Sequence, residues 1–391
     1  MKRIWSDNKY LDLLIDILIF LTGINFLHYG QLILPIICFL LFIDHKLVFH
    51  VHDPFVFIAL CLFAVSFYAF SNKDFYAVMG FTCPMAYYIG SNMRHPNEDN
   101  VKKIIYLLAL SMGFHIILSS IYEFIVHGSQ GFFHSGTHYD IWTREKISNT
   151  ATALNIDLLA GCLYYLFFHE KDKKIRSLSF FVFVTAMFYL VVIGRRTPFM
   201  MLGIAFVLSF FYEVFILKSG SKQLRKSFLL LTGILVLIVG GLIVFYSFDL
   251  FGCRDFLDNY YIIQKFSQHF LSDKRIELYL GALRLMPGHL WGHQEISTIL
   301  EGQVHDFWID IYDYAGIVSY LLMLLYSFLF VRDVWRFYTC ASVKQDCKIL
   351  MVGVLSCIVI QMFLEPIMTG ASLFLLIGII IHGLLEGLIH E

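Results

Sequence analysis

Apolar stretches of roughly twenty residues, the length that crosses a bilayer as a helix, recur along nearly the whole 391-residue chain. They restrict the fold more than any motif does. The chain is 58% hydrophobic and only 15% charged, against roughly 25% charged in soluble domains. A soluble core could not hide this much apolar surface. In lipid, every backbone N–H and C=O must be satisfied within the segment, which selects helices here. The expectation is all-α: a single integral membrane domain over 1–391, a polytopic bundle of about 12 spans. They are predicted at 11–28, 30–43, 54–70, 75–91, 103–126, 151–168, 177–193, 197–217, 227–247, 306–330, 348–364 and 370–388. The first two are weakly separated by His28-Tyr29-Gly30 and are also compatible with one broken hairpin.

Orientation follows from where lysine and arginine fall. Roughly two thirds of the 29 basic residues occupy one set of shorter loops, which the positive-inside rule assigns to the cytoplasm together with both termini. The KDKKIR run at 171–176 needs no role beyond this. A net charge of −1 offers no basic field for nucleic acid. The eight cysteines lack metal-site spacing, and only Cys253 falls in a clearly outward loop, so no disulfide framework is expected. Lys2 and Arg3 precede an apolar run without a small-residue cleavage site, which reads as a retained helix rather than a signal peptide.

Two outward segments are long, 127–150 and 248–304. Within the second, the pattern from Lys274 to Arg284 predicts an amphipathic helix at the membrane surface, ended by Pro287, Gly288 and Gly292. Arg275 and Arg284 on this helix suit either phosphate or lipid headgroups. The turn Gly194-Arg195-Arg196-Thr197-Pro198 sets two arginines at an outer helix start, against the usual bias. Guanidinium forks match phosphate oxygens, and a helix N-terminus adds a favourable dipole. The pair therefore suits a diphosphate clamp, with anchoring in lipid headgroups as the plainer reading. The tenth span opens on His305, and Asp306, Asp310 and Asp313 fall within about 60° of one another on a helix. Acidic residues there, with Glu123 and Asp157 at similar predicted depth, suggest an outward polar cavity. A histidine in it is suited to taking a proton from a hydroxyl, or it simply caps a helix at the interface. His138 and Arg144 are weaker candidates. Trp142, Trp291 and Trp308 fit interface anchoring.

These motifs, in this order and on this side, resemble a known family. His305-Asp306, nine residues, Gly316, two residues and Ser319 look like the His-(Asn/Ser/Gln)-x9-Gly-x2-(Gly/Thr/Tyr) signature of O-antigen ligases and their polymerase relatives. Gly194-Arg195-Arg196-Thr197 is similar to that family's outward arginine turn. Arg275 through Pro287-Gly288 to Gly292 is similar to its surface helix and Pro-Gly break. The resemblance covers about 150–330. Asp306 stands where Asn, Ser or Gln is usual, and Ser319 where Gly, Thr or Tyr is usual.

The resemblance implies a GT-C-like glycosyltransferase in a bacterial inner membrane, independent of metal and cofactor, with its active site facing outward. Its partners would be undecaprenyl-diphosphate-linked glycans and membrane lipids, with room for a chain-length regulator. His305 would accept the acceptor hydroxyl's proton. Arg195 or Arg196, with Arg275, would stabilise the departing diphosphate, while Arg284, Asp306 and Asp310 would contact substrate. The polymerase is the leading expectation. A ligase moving finished glycan to another acceptor, and a transporter of lipid-linked oligosaccharide, are the alternatives. The absence of a recognisable internal repeat weighs against the transporter.

Overall fold

The computed structural model describes residues 9–45, 47–48, 51–71, 79–93, 97–134, 138–147, 149–195, 197–218, 274–365 and 367–390. The span expected at 227–247, Arg196 and Cys253 lie outside the described residues. Those described form an all-α membrane protein. Seven helices are long and apolar enough to cross a bilayer: Glu98–Gly128, Ala151–Phe168, Lys173–Val192, Thr197–Ile216, Phe307–Thr339, Gln345–Leu364 and Ser372–Ile389. Two shorter apolar helices, Gly30–Asp44 and Pro54–Phe70, join them.

In chain order the helices used below are α1 (Lys9–Gly23), α2 (Leu34–Asp44), α3 (Pro54–Phe70), α4 (Thr82–Ser91), α5 (Glu98–His134), α6 (Asn149–Phe168), α7 (Lys173–Val192) and α8 (Thr197–Phe211). They continue as α9 (Lys274–Leu285), α10 (Glu295–Ile299), α11 (Phe307–Thr339), α12 (Gln345–Leu364), α13 (Ile367–Gly370) and α14 (Ser372–Ile389). Their starts are written in the sequence. Asp53 accepts hydrogen bonds from the N–H groups of Phe55 and Val56 with Pro54 in the first turn, and Asp172 does the same for Lys174 and Ile175. α1 ends at Gly23, short of the expected boundary at 28, because Asn25, Leu27 and His28 all adopt left-handed backbone. α1 and α2 are thus two elements joined by tight turns.

The helices meet through small residues. Gly90 on α4 lies against Gly383 and the backbone of Ile380 on α14, and Gly161 on α6 lies against Gly353 on α12. Without a hydrophobic drive between helices in lipid, such close approach is what holds a bundle together. α14 is buried almost throughout and runs through the interior. α7 turns Phe180, Phe181, Val184 and Phe188 outward, as a lipid-facing helix does.

The register fixes which ends coincide. α12 runs antiparallel to α6, pairing Gly353 with Gly161 and Gln361 with Asp157. It also runs antiparallel to α8, where Cys357 meets Met201 and Gly353 meets Ser209. Extending that register brings the Gly194–Thr197 turn to the C-terminal end of α12, where Glu365 stands. This end of the bundle is called the Glu365 end.

The expected single span at 306–330 is corrected. α11 breaks at Gly316 (φ 76°, ψ −177°), a backbone region open essentially to glycine alone. The chain then folds back on itself. Trp308 Nε1 donates to Ser327 Oγ at 3.0 Å, and the rings of Tyr312 and Tyr320 lie 5.5 Å apart. A straight helix would hold residues 308 and 327 about 28 Å apart. Residues 307–315 therefore form a short leg packed along a crossing helix of 317–339. The groups opened by the break are met by the chain ahead of it. Ile317 N–H donates to Leu290 O, His293 N–H to Tyr314 O, and Gln294 N–H to Asp313 O. Gly292 (φ 82°) lies directly against Ala315 and Gly316, so the Gly292 turn and the hairpin tip fit only without side chains.

Candidate functional site

Folding α11 into a hairpin brings His305 down beside the end of α12. His305 Nδ1–H donates to Glu365 Oε2 at 2.9 Å. The Glu365 side chain is 2% exposed and that of His305 29%. Arg275 approaches the other oxygen, Nη2 to Oε1 at 3.9 Å, and is 40% exposed, so its guanidinium also reaches solvent. Two residues that lie 60 and 90 positions before Glu365 in sequence thus share its buried carboxylate. By register, the turn carrying Arg195 lies at the same end. Gly194 (φ 71°) makes that turn, and Arg195 N–H donates to Leu190 O at 2.9 Å.

Chemically, a carboxylate that accepts Nδ1–H fixes the imidazole tautomer and leaves Nε2 with its lone pair as the proton acceptor. A partly exposed guanidinium next to it can meet an anion from the solvent side. The group sets a base and a cation on the two oxygens of one carboxylate.

The other predicted residues divide. Asp306 is the N-cap of α11, where its side chain accepts from Ile309 N–H at 2.9 Å, so its first role is to start the short leg. Asp313 accepts from Ile296 and Ser297 N–H, which seats α10 against the hairpin. Asp310 is buried and lines a cavity of about 280 Å³ with Asp313, Tyr314 and residues of 294–303. α9 packs Leu278, Ala282 and Leu285 against Ile296, Val304, Ile309 and Tyr312. Its packed face therefore meets protein, while Ile276, Tyr279, Leu280 and Leu283 are exposed. Arg275 borders the packed face. Arg284, nine residues on and so half a turn round, is exposed on the opposite face and is not brought to the Glu365 group.

The single cavity expected from Glu123, Asp157 and the acidic stripe is corrected too, since these carboxylates go to separate partners. Asp157 is fully buried and accepts from Gln361 Nε2. Glu123 accepts from Tyr189 Oη and lies 3.6 Å from His138, under a two-strand ribbon in which His138–Tyr139 pairs antiparallel with Lys146–Ile147. Beside it His115 Nε2–H donates to Asp140 at 2.8 Å, while Asn155 donates to His115 Nδ1 at 3.3 Å. Burial raises the Asp140 carboxyl, but hydrogen bonds from His115 and from the Thr143 and Trp142 N–H groups outweigh it and hold the group below its ordinary value. Burial pushes the His138 imidazole below its ordinary value, against the opposing pull of Glu123. These contacts pin the 138–147 loop onto the bundle, with Trp142 Nε1 donating to Ile24 O at 3.1 Å.

Sequence reasoning missed two features. One is Glu365 itself. Its signal was an acid followed by Pro366 just past the predicted end of a span. The other lies at the far end of α14. Asp333 is bonded by Arg332 (Nε to Oδ1, 2.7 Å), Arg336 (3.3 Å) and His382 (3.1 Å). Arg332 also binds Asp53, and Arg336 reaches Glu386 at 3.4 Å. Asp53, Asp333 and Glu386 lie close enough together to surround an ion, but the two guanidiniums already fill that role. Arg332 and Arg336 are thus the cations of a clasp joining α3, α11 and α14. His382 and Glu386, polar residues inside an apolar span, were its signal.

No family model matches the chain, and no curated protein matches it.

Proposed function

We propose that this chain is a membrane glycosyltransferase that joins undecaprenyl-diphosphate-linked oligosaccharide repeat units into a surface polysaccharide. It would work at the outer leaflet of a bacterial inner membrane, on a GT-C-like scaffold. The observation that carries the reading is the meeting of His305 and Arg275 on Glu365. Polymerisation needs a base for the acceptor hydroxyl and a cation for the leaving diphosphate. In this reading the acceptor oxygen attacks the anomeric carbon while its proton passes to His305 Nε2. The bond from that carbon to the diphosphate oxygen breaks, and the diphosphate leaves with the electron pair. Arg275, with Arg195 or Arg196, stabilises the charge that builds on it, the place where preorganised cations act most strongly. Attack opposite the leaving group inverts the anomeric centre.

The clasp around Asp333 favours a second reading, because buried ionisable residues inside a bundle also mark transport pathways. A transporter of lipid-linked glycan would move its cargo without lengthening it.

The test is a deletion strain complemented with wild type or His305→Ala. The proposal expects the variant to be expressed and the polymer ladder to vanish while single repeat units remain attached. Loss of all attached glycan would indicate the ligase. A full ladder in His305→Ala would remove the proposed base.

A further inference from the structure

The cavity beside the short leg of α11 has a chemistry unlike that of the Glu365 group. Its floor is Asp310 and Tyr314, both buried, backed by Asp313. Its rim is Gln294, Ser297, Thr298 and Gln303. Carboxylates, carboxamides, hydroxyls and a phenol ring line it, and no lysine, arginine or histidine is among the lining residues. Such a wall repels phosphate and carboxylate groups. It offers hydrogen bonds of both senses, with carboxylates as strong acceptors for hydroxyl donors. At about 280 Å³ it falls just below the ~300–1,000 Å³ of pockets for drug-sized ligands, which suits a single ring.

The walls are also held in place. Both oxygens of Asp313 are engaged by N–H groups of α10. The hydroxyls of Ser297 and Thr298 donate to Gln294 O at 3.1 and 2.7 Å, so each oxygen keeps its acceptor capacity. Gln294 is itself fixed by its N–H bond to Asp313 O. The break at Gly316 therefore positions both the cavity and His305, on one rigid leg. Asp310 lies five residues beyond His305, across one extended residue and the first turn of the leg and so within about 10 Å along the chain direction, a reach that a sugar ring with its outer hydroxyls can bridge.

We infer that this cavity is a subsite for a neutral, hydroxyl-rich sugar ring, the terminal residue of the acceptor glycan. Asp310 accepts hydrogen bonds from its hydroxyls, and the Gln294 and Gln303 amides set its orientation. The acceptor assignment rests on the transfer reading; the sugar-binding assignment does not. The two ends of the reaction are then divided by charge, with the diphosphate by Arg275 and the neutral ring by Asp310.

The experiment is ligand-observed NMR on the full chain in nanodiscs, with the methyl glycosides of glucose, galactose and N-acetylglucosamine, and methyl glucuronide as the anionic probe. Chain extension is measured on the same preparations. At least one neutral glycoside should bind wild type, and bind tenfold or more weakly to Asp310→Asn. Methyl glucuronide should not bind, and EDTA should change nothing. His305→Ala should keep glycoside binding while losing extension. Should Asp310→Asn fail to fold, Gln303→Ala on the exposed rim should weaken the same glycoside several-fold. The inference fails if no neutral glycoside binds, if both variants bind as wild type, if the glucuronide competes equally, or if binding requires added calcium. Extension lost in His305→Ala with binding unchanged in Asp310→Asn sinks the subsite and leaves the transfer reading standing. Binding lost in Asp310→Asn with no extension by wild type does the reverse.

Discussion

Replacing Glu365 by glutamine keeps the side chain's shape and removes its charge. The carboxylate is 2% exposed and takes the Nδ1–H of His305 at 2.9 Å. A hydrogen bond to a charged group contributes about 1.5–3 kcal/mol. Because the His305 side chain is 29% exposed, solvent screens part of this and the lower half of the range applies. If that energy is expressed in the transition state, where the imidazole gains a proton, about 1.5–2 kcal/mol corresponds to a fall in kcat of roughly 10- to 30-fold. KM should change little, since Glu365 touches the base rather than the substrate. The assay is initial-rate extension of a synthetic undecaprenyl-diphosphate oligosaccharide in nanodiscs, with thermal unfolding of the same samples as a control for folding. Glu365→Gln turning over at the wild-type rate, or a loss confined to KM, would refute the positioning role.

The remaining predictions concern the parts that hold the site. Gly316→Ala strains a glycine-only backbone and sets a Cβ 2.6 Å from Leu290 O, so it should cost roughly 3 kcal/mol or more, visible as a lower unfolding temperature together with lost activity. Arg332→Ala leaves Asp53 and Asp333 short of a cation; with Arg332 one-third exposed, roughly 2 kcal/mol of destabilisation is expected, and an unchanged unfolding temperature would contradict the clasp. The folded pKa of His138 lies below its unfolded value, so its contribution is fully present above about pH 6.5 and is lost as pH falls through the folded value; hydrogen exchange across 138–147 should rise on acidification and stay flat from neutral pH upward. Arg275→Ala should cut extension at least tenfold, while Arg284→Ala on the opposite face should change it less than twofold, measured by the same rates.

The fold was legible to the extent that lipid made it so. Long apolar runs announce helices because a helix satisfies its whole backbone within the segment. The hairpin at Gly316 was not legible. Residues 306–330 read as one window, and apolar character averages smoothly across the break. Only the approach of Gly292, 24 positions earlier in the sequence, explains why that glycine ends a helix rather than sitting within one. The acidic stripe of Asp306, Asp310 and Asp313 was correct in spacing, yet its members do different things: one caps, one seats α10 and one faces a cavity. Which oxygen meets which N–H is set by the fold-back, not by helical period. Glu365 escaped notice because a lone acid at a span end looks like solvated charge until His305 is brought beside it from 60 positions away. His382 and Glu386 escaped because the surrounding run is apolar enough to absorb two polar residues without losing its character.

The most direct test of the whole account is to give purified chain, alone in nanodiscs, a lipid-diphosphate oligosaccharide and to follow product length on a gel. A ladder from wild type, absent with His305→Ala under identical reconstitution, is the expected result. A wild-type protein that never lengthens the glycan, or an alanine variant that lengthens it equally well, would contradict the claim that His305 and Arg275 meet at Glu365 to transfer sugar.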